Sequence, residues 1–360
     1  MLWMELINQS YFEMNGVIKT AHEALACKSS AIGPSDGSKI ASKKTPLLNK
    51  LYKARSMIMH KLVSEAMKCS QSEKTQLLLL GAGLDNSYNG YSTSVFAVDF
   101  KDVFENRQFP KHVHTVPCDL RDSEAVVLAL KDKGFHSNFP TVILLECVLS
   151  YLDEKSSHDL LNILTSTIPN CTIILYEPVL PYDDINNSGF AYKMHSKFTE
   201  REAPLLSCSK SLEDFTSRLY STGFLHVNTT TINHALKLYL STSERLNCSL
   251  NEPFDEFASL ALLQNYYIAC IASTSTEWMK RLLAITTKHT TTTATKHSTS
   301  SDTTAQTDIT AVTKHTYDNS DSSYENRLLQ LQLRASAVEL RLSCLEKQQA
   351  NSAAKTQENW

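Results

Sequence analysis

Carboxylates stand where apolar runs end. VFAVDF leads to Asp99, VHTV is followed by CDLRD with Asp119 and Asp122, and TVILLE closes on Glu146. Just after the first apolar run, LLLL at 77–80, come Gly81 and Gly83 in LLLGAGLD. Glycine at a turn directly after a strand lets the backbone approach a ligand closely. An acid at the tip of a second strand accepts hydrogen bonds from both hydroxyls of a ribose. Asp119 is placed to receive an adenine amino group, with Leu120 packed on the ring. Glu146 follows a buried apolar run, where a carboxylate is costly unless exposed or paired; at the ligand-facing end of a sheet it meets a cationic ligand. Each acid also has a bland role, Asp99 and Asp122 as helix caps in particular. Their joint occurrence at strand ends is the specific signal.

The chemistry can be narrowed further. A dinucleotide fingerprint needs a third glycine or alanine where this chain has Asn86, and no GxxxxGK[ST] phosphate loop exists. A strand followed by a GxG turn without a phosphate cradle fits S-adenosylmethionine (SAM) or is a purely structural turn. No catalytic triad, HExxH or metal-ligand spacing occurs, and His112 and His114 read as structural.

Five apolar runs position these groups: LLLL (77–80), VFAV (95–98), VHTV (113–116), TVILL (141–145) and TIILY (172–176). Helix-like stretches at 122–133 and 154–168 separate the last three. That alternation predicts an α/β protein with a mostly parallel sheet covered by helices. Helical spacing from Leu47 to Met67 predicts a helix ahead of the sheet. A polar segment at 181–210 interrupts the pattern; a helix at 211–222 and strands in HVNTTTI and NYYIACIAS (265–273) follow. The expected organisation is a helical part at 1–75, a core at 76–280, a disordered Thr/Ser-rich linker at 285–323 and an amphipathic or short coiled-coil helix at 324–349. In the last, Leu328, Leu331, Ala335, Val338, Leu342 and Leu345 alternate spacings of three and four, a stripe suited to self-association or a partner helix.

Composition excludes some classes. A net charge of −3 points to no bulk nucleic-acid or membrane binder, although a local RNA-facing patch stays open. No run of 18 apolar residues exists, and the N-terminal text lacks a basic stretch followed by a sustained apolar run. Nine irregularly spaced cysteines without a CxxC suit reduced, mostly buried thiols. A cytoplasmic protein is expected.

Beyond these readings, the chain resembles the leucine carboxyl methyltransferases. The resemblance runs over roughly residues 15–275. It is carried by ALACKSSA (24–31), TPLLNKLYKAR (45–55), LLLGAGLD (78–85), FAVDF (96–100), CDLRD (118–122), PTVILLECVLSYL (140–152) and LYEPV (175–179), and continues through EPFDEFASLALLQNYYIACIAS (252–273). It implies a Rossmann-like SAM-dependent methyltransferase fold with added N-terminal helices and a substrate lid. Carried over by match, Lys28, Arg55, Gly81, Gly83, Asp99, Asp119, Leu120 and Glu146 would bind SAM, with Arg55 or Lys28 pairing its methionine carboxylate. No metal is implied. One branch of the family methylates the C-terminal leucine carboxylate of the protein phosphatase 2A catalytic subunit. A sister branch acts on phenylalanine tRNA in wybutosine synthesis and usually carries a kelch propeller. No blade-sized period follows residue 275, which favours the phosphatase branch, while EPFDEF is closer to the tRNA branch. The family's Gly-Tyr-x-Asp-Pro text is replaced by IGPSDGS, and the region around 180–205 diverges. A carboxylate acceptor needs no general base, so catalysis would be positioning, with Tyr151 after the fourth strand and Tyr176 after the fifth lining the pocket or packing the core. A non-catalytic scaffold that keeps the fold is the rival from another class.

Overall fold

The computed structural model describes residues 2–33, 43–105, 107–181, 189–249 and 254–286; the side chains of 2–15, 247–249 and 286 are not part of that description. In chain order the elements are α1 (Leu2–Ile32), α2 (Pro46–Cys69), β1 (Gln76–Leu80), β2 (Val95–Asp99), α3 (Lys101–Phe104), β3 (Val113–Pro117) and α4 (Ser123–Asp132). Then come β4 (Thr141–Glu146), α5 (Glu154–Thr167), β5 (Cys171–Pro178), α6 (Phe190–Glu200), α7 (Leu212–Ser221), β6 (His226–Thr231), α8 (Ile232–Tyr239), α9 (Thr242–Ser249), α10 (Phe257–Asn265), β7 (Tyr267–Ser273) and α11 (Thr276–Thr286).

The strands form one sheet in the order β3-β2-β1-β4-β5-β7-β6. β1 to β5 are parallel, and β7 runs antiparallel to both β5 and β6. This is the mostly parallel α/β sheet expected from the apolar runs, in the Rossmann-like arrangement that the resemblance implied. β1, β4 and β5 are central and covered on both faces, so their sequences are near-continuously apolar. One face packs on α4, α5 and α7 through Val126, Leu130, Leu161, Phe215 and Leu219. The other packs on α2, α8 and α11 through Ile58, Leu62, Tyr239, Trp278 and Leu282. Pro46 opens α2 at a position where no helix N–H is needed, and Thr45 caps it by accepting from the Leu48 N–H at 3.4 Å. At the other end of α2, the indole of Trp278 donates to the Ala66 carbonyl at 3.0 Å.

The chain moves outward from β1 to β2 and β3, then returns across the sheet to β4. The order therefore switches between β1 and β4, whose ends lie side by side because Leu80 pairs with Leu145. Open α/β sheets bind ligands at such a crevice.

The structure corrects several expectations. The segment 181–210 carries helix α6, with Ala191 and Met194 buried in a small cluster with Leu180 and Leu205. Tyr176 and Glu177 lie within β5 rather than after it. α11 extends to Thr286, so the expected linker begins inside a helix. The rest of that linker and the heptad stripe at 324–349 lie outside the described residues. The seven described cysteines are free; Cys69, Cys171 and Cys270 are buried and the other four partly so, a smaller share than expected. No described helix is long and apolar enough to cross a membrane.

Candidate active site

A cavity of about 950 Å³ opens at the carboxyl ends of β1 to β4 and is closed over by α1, α2 and α6. All ten residues singled out from the sequence line it: Lys28, Arg55, Gly81, Gly83, Asp99, Asp119, Leu120, Glu146, Tyr151 and Tyr176.

The floor is built from strand ends. Gly81 adopts φ +63°, and a Cβ there would lie 2.5 Å from a Val148 methyl. Both the left-handed backbone and the close approach of the turn after β4 require glycine. Gly83 also has positive φ, and its N–H donates to the Asp99 carboxylate at 2.7 Å. The other Asp99 oxygen accepts from the Phe100 N–H at 2.7 Å. Burial pushes the Asp99 carboxyl above its usual range, against the pull of those two N–H groups. Asp119 is held by Arg121, with Nη2 to Oδ2 at 2.7 Å, and Leu120 is buried beside it. Asp122 caps α4 as expected, accepting from the Ala125 N–H at 2.9 Å.

Between floor and helices stand two ion pairs. Arg55 of α2 meets Glu146 with Nε to Oε2 at 2.7 Å, and its guanidinium lies 4.7 Å from the Tyr176 ring centroid. Burial is the largest single influence and opposes the Arg55 charge, but Glu146, Cys147, Tyr52 and Tyr176 together outweigh it and hold the pKa above its usual value. Tyr88 donates its hydroxyl to the other Glu146 oxygen at 3.2 Å. Lys28 of α1 is paired with Asp85, whose Oδ1 also accepts from the Ser87 N–H at 2.9 Å. Burial raises the Asp85 pKa, yet Lys28 and the Ser87 bonds pull it below the usual value overall. Asp85 and Tyr88 were not foreseen, although Asp-Asn-Ser after a glycine turn is a sequence in which the acid caps its own backbone.

Tyr176 packs as core and cavity wall at once: it is 2% exposed and stacks on Tyr267 at 5.1 Å. Tyr151 meets Phe198 of α6 edge-on at 6.1 Å, and its hydroxyl bonds Thr20 of α1. Burial raises the pKa of both phenols. The turn that carries Tyr151 is anchored by buried Glu177, which accepts from the N–H groups of Val148, Leu149 and Ser150 at 2.8, 2.9 and 3.3 Å.

The lid wall comes from α6 and the residues after it. Lys193, Lys197 and Arg201 line the cavity there, and none was singled out from the sequence. Arg201 pairs with Glu23 of α1 at 2.6 Å, and Lys19 pairs with Glu202 at 3.3 Å. Helix α1 crosses this segment at Gly16, where a Cβ would lie 1.9 Å from the Glu202 carbonyl oxygen.

Taking the ion pairs away leaves a divided cavity. Lys28, Arg55, Arg121 and Arg201 each face an acid. Among the described residues, Asp99 on the floor has no ion-pair partner, and neither do Lys193 and Lys197 on the lid wall. The Asp99 charge on the floor is left without an ion pair, though the nearby Arg107 charge favours it, and the α6 wall adds two unpaired cations; Lys44 and Asp153, the cap of α5, also line the cavity without an ion-pair partner among the described residues. No histidine lines the cavity among the described residues, and they contain no cluster of potential metal ligands.

The family model that matches this chain is leucine carboxyl methyltransferase, over residues 18–165. The chain resembles that family. The leucine carboxyl methyltransferase 1 homolog of Arabidopsis thaliana is 26% identical over 264 residues, 64% of this chain and 78% of that protein. The leucine carboxyl methyltransferase 1 of Rattus norvegicus is 24% identical over 310 residues, 73% of this chain and 91% of that protein. The tRNA wybutosine-synthesizing protein 4 of Homo sapiens is 26% identical over 275 residues, and there the match spans 65% of this chain but 39% of the relative's length. The leucine carboxyl methyltransferase match takes in α2, the glycine turn and all four acids at the strand ends.

Proposed function

We propose that this protein transfers a methyl group from SAM to the α-carboxylate of a C-terminal leucine, that of the protein phosphatase 2A catalytic subunit. The observation that carries this reading is the division of charge in the cavity. An unpaired acid lies on the glycine-turn floor, where a nucleoside with a cationic sulfur fits. Two unpaired lysines lie on the lid, where an anionic acceptor enters. The residues fit SAM. A Cβ at Gly83 would find only Ala21, at 3.9 Å, so the turn stays open towards the cavity, and nothing in it is built to hold a phosphate. Asp99, Asp119 and Leu120 would hold the nucleoside. Arg55 and Lys28 would take the methionine carboxylate, with Glu146 keeping the Arg55 guanidinium in place. Bound there, SAM supplies an electrophilic methyl group.

The remaining work falls to positioning. A C-terminal carboxylate has a reference pKa of about 3.5, so it is ionised at neutral pH and no base is required to activate it. This agrees with the absence of histidine among the described cavity residues. Tyr151, Phe198 and the lid cover the acceptor end, exclude water and hold the carboxylate oxygen against the floor. Orientation of this kind is worth roughly 7–11 kcal/mol in favourable systems. The wybutosine relative, matched at the same 26% identity as the Arabidopsis methyltransferase homolog, supports a second reading with a carboxylate on tRNA as the acceptor.

The test is labelled methyl transfer from SAM, offered with the intact phosphatase catalytic subunit, the subunit lacking its last leucine, and wybutosine-precursor tRNA. The proposal expects label on the intact subunit alone, released by mild base as a methyl ester. Label on tRNA alone would establish the second reading. Label on no acceptor, without SAM binding, would leave a methyltransferase-like scaffold.

A further inference from the structure

We propose that Lys193 and Lys197 of α6 select an acidic side chain in the acceptor, a few residues before its terminal carboxylate. The inference rests on the peptide-carboxylate reading above and names the acceptor class more closely: an acidic-tailed peptide.

The two lysines lie four positions apart, on one face of a helix. Their attachment points are about 6 Å apart along the axis, close to the roughly 6.6 Å between same-side residues of an extended peptide. Both line the cavity while being solvent-exposed, so they stand at its mouth. The terminal carboxylate has to reach past them, to the floor where the glycine turn and Arg55 lie. What remains beside the lysines is the chain just upstream of that carboxylate. Of the other cavity cations, Lys28 and Arg55 are assigned to the methionine carboxylate of SAM, Arg121 and Arg201 each face an acid, and Lys44 lies just ahead of α2, off the α6 wall.

A polynucleotide would also supply anions, but the described aromatic residues of α6 that line the cavity are packed, and the exposed Tyr192 lies outside the lining. Phe190 is packed on Tyr266 at 4.7 Å and Phe198 on Tyr151 at 6.1 Å, both against the lid's own small core. Nucleic-acid grooves combine free aromatic faces with a longer basic track.

Fluorescence anisotropy on the full chain, saturated with S-adenosylhomocysteine, tests this. The probes are labelled hexapeptides ending in a free leucine carboxylate, with glutamate or glutamine at the third position from the end. A third probe carries the glutamate and an amidated C-terminus. The wild type is expected to bind the glutamate peptide about five- to tenfold more tightly than its glutamine twin, as two partly exposed ion pairs allow. The preference should shrink with added salt and vanish in the Lys193→Gln/Lys197→Gln variant, whose S-adenosylhomocysteine binding reports that it is folded. Equal binding of the twins, a preference that survives in the double variant, or no peptide binding would overturn the inference. So would stronger binding of a single-stranded RNA of the same length. If the amidated probe binds as well as its free-acid partner while the glutamate preference holds, the terminal-carboxylate reading fails and the lid's selection of acidic side chains stands.

Discussion

The cavity's floor and its lid wall differ in how their charges are held. On the floor, Asp99 ends β2 and accepts two backbone N–H groups, while Glu146 ends β4 and is bound by Arg55 and Tyr88. These groups are partly buried and cross-braced before any ligand arrives. On the lid wall, Lys193 and Lys197 are exposed and anchored only by the helix that carries them. The helix itself is tied down by a small core and two exposed ion pairs to α1. In the proposed function, nucleoside binding falls on the braced sheet ends, and entry of the acceptor falls on an element with fewer buried contacts.

The comparison breaks most readily at the Arg55–Glu146 pair. Arg55→Met leaves Glu146 partly buried without its cation, a change that costs about 3–5 kcal/mol where a buried pair loses one partner. Chemical denaturation should show a large drop in midpoint, and SAM binding should be lost with it. A matching change on the lid should be milder: Gly16→Ala forces α1 away from the Glu202 carbonyl, at about 1–3 kcal/mol for overpacking of this kind. There, transfer to the protein acceptor should fall far more than SAM affinity, which steady-state kinetics beside calorimetry would resolve.

Asp99→Asn isolates a floor group. One lost charge-assisted bond is worth about 1.5–3 kcal/mol, so SAM affinity should fall roughly 10- to 100-fold; an amide has one acceptor for the two backbone N–H groups, so stability should fall as well, by about 1–3 kcal/mol. Asp99 has a raised pKa in the fold, so its contribution to stability is greatest below the unfolded value of about 3.9 and is lost as pH rises through the folded value. Ligand binding runs the other way: it needs the carboxylate, so SAM affinity should weaken as pH falls through that raised value, and Asp99→Asn should remove the dependence. Asp85 has a lowered pKa; its pairing with Lys28 stabilises the fold fully above about 3.9 and is lost only as pH falls through its lower folded value. At mildly acid pH, therefore, ligand binding should decline before the Lys28–Asp85 pair opens. The smallest effect belongs to Glu23→Gln, which frees Arg201 from an exposed pair worth about 0.2–1 kcal/mol, with a salt dependence that disappears in the variant.

The floor was legible in the sequence for a physical reason. Central parallel strands are buried on both faces, so each reads as an unbroken apolar run, and the ligand-facing residue is the first polar one after it. Asp99 and Glu146 could be located that way without knowing a single contact; Asp119 follows the partly buried edge strand β3, VHTVP, and was found from CDLRD instead. The lid was not legible, because its residues were read as a polar segment. Its helical signal was present in Phe190, Ala191, Met194 and Phe198, spaced to cover one face. Lys28 could be placed in the site but its partnership with Asp85 could not, since the pair joins residues 57 apart through the packing of α1 over the glycine turn. Charge neutralisation is a three-dimensional property, and the division of the cavity into an acidic floor and a cationic lid became visible only once the pairs were known.

The most direct measurement of the central claim is calorimetric titration of SAM into the full chain, repeated with Asp99→Asn and with Lys193→Gln/Lys197→Gln. Saturable binding to the wild type at one site is expected, severely weakened in the floor variant and unchanged in the lid variant. Absence of SAM binding to the folded wild type, or equal binding by the Asp99→Asn protein, would contradict the claim.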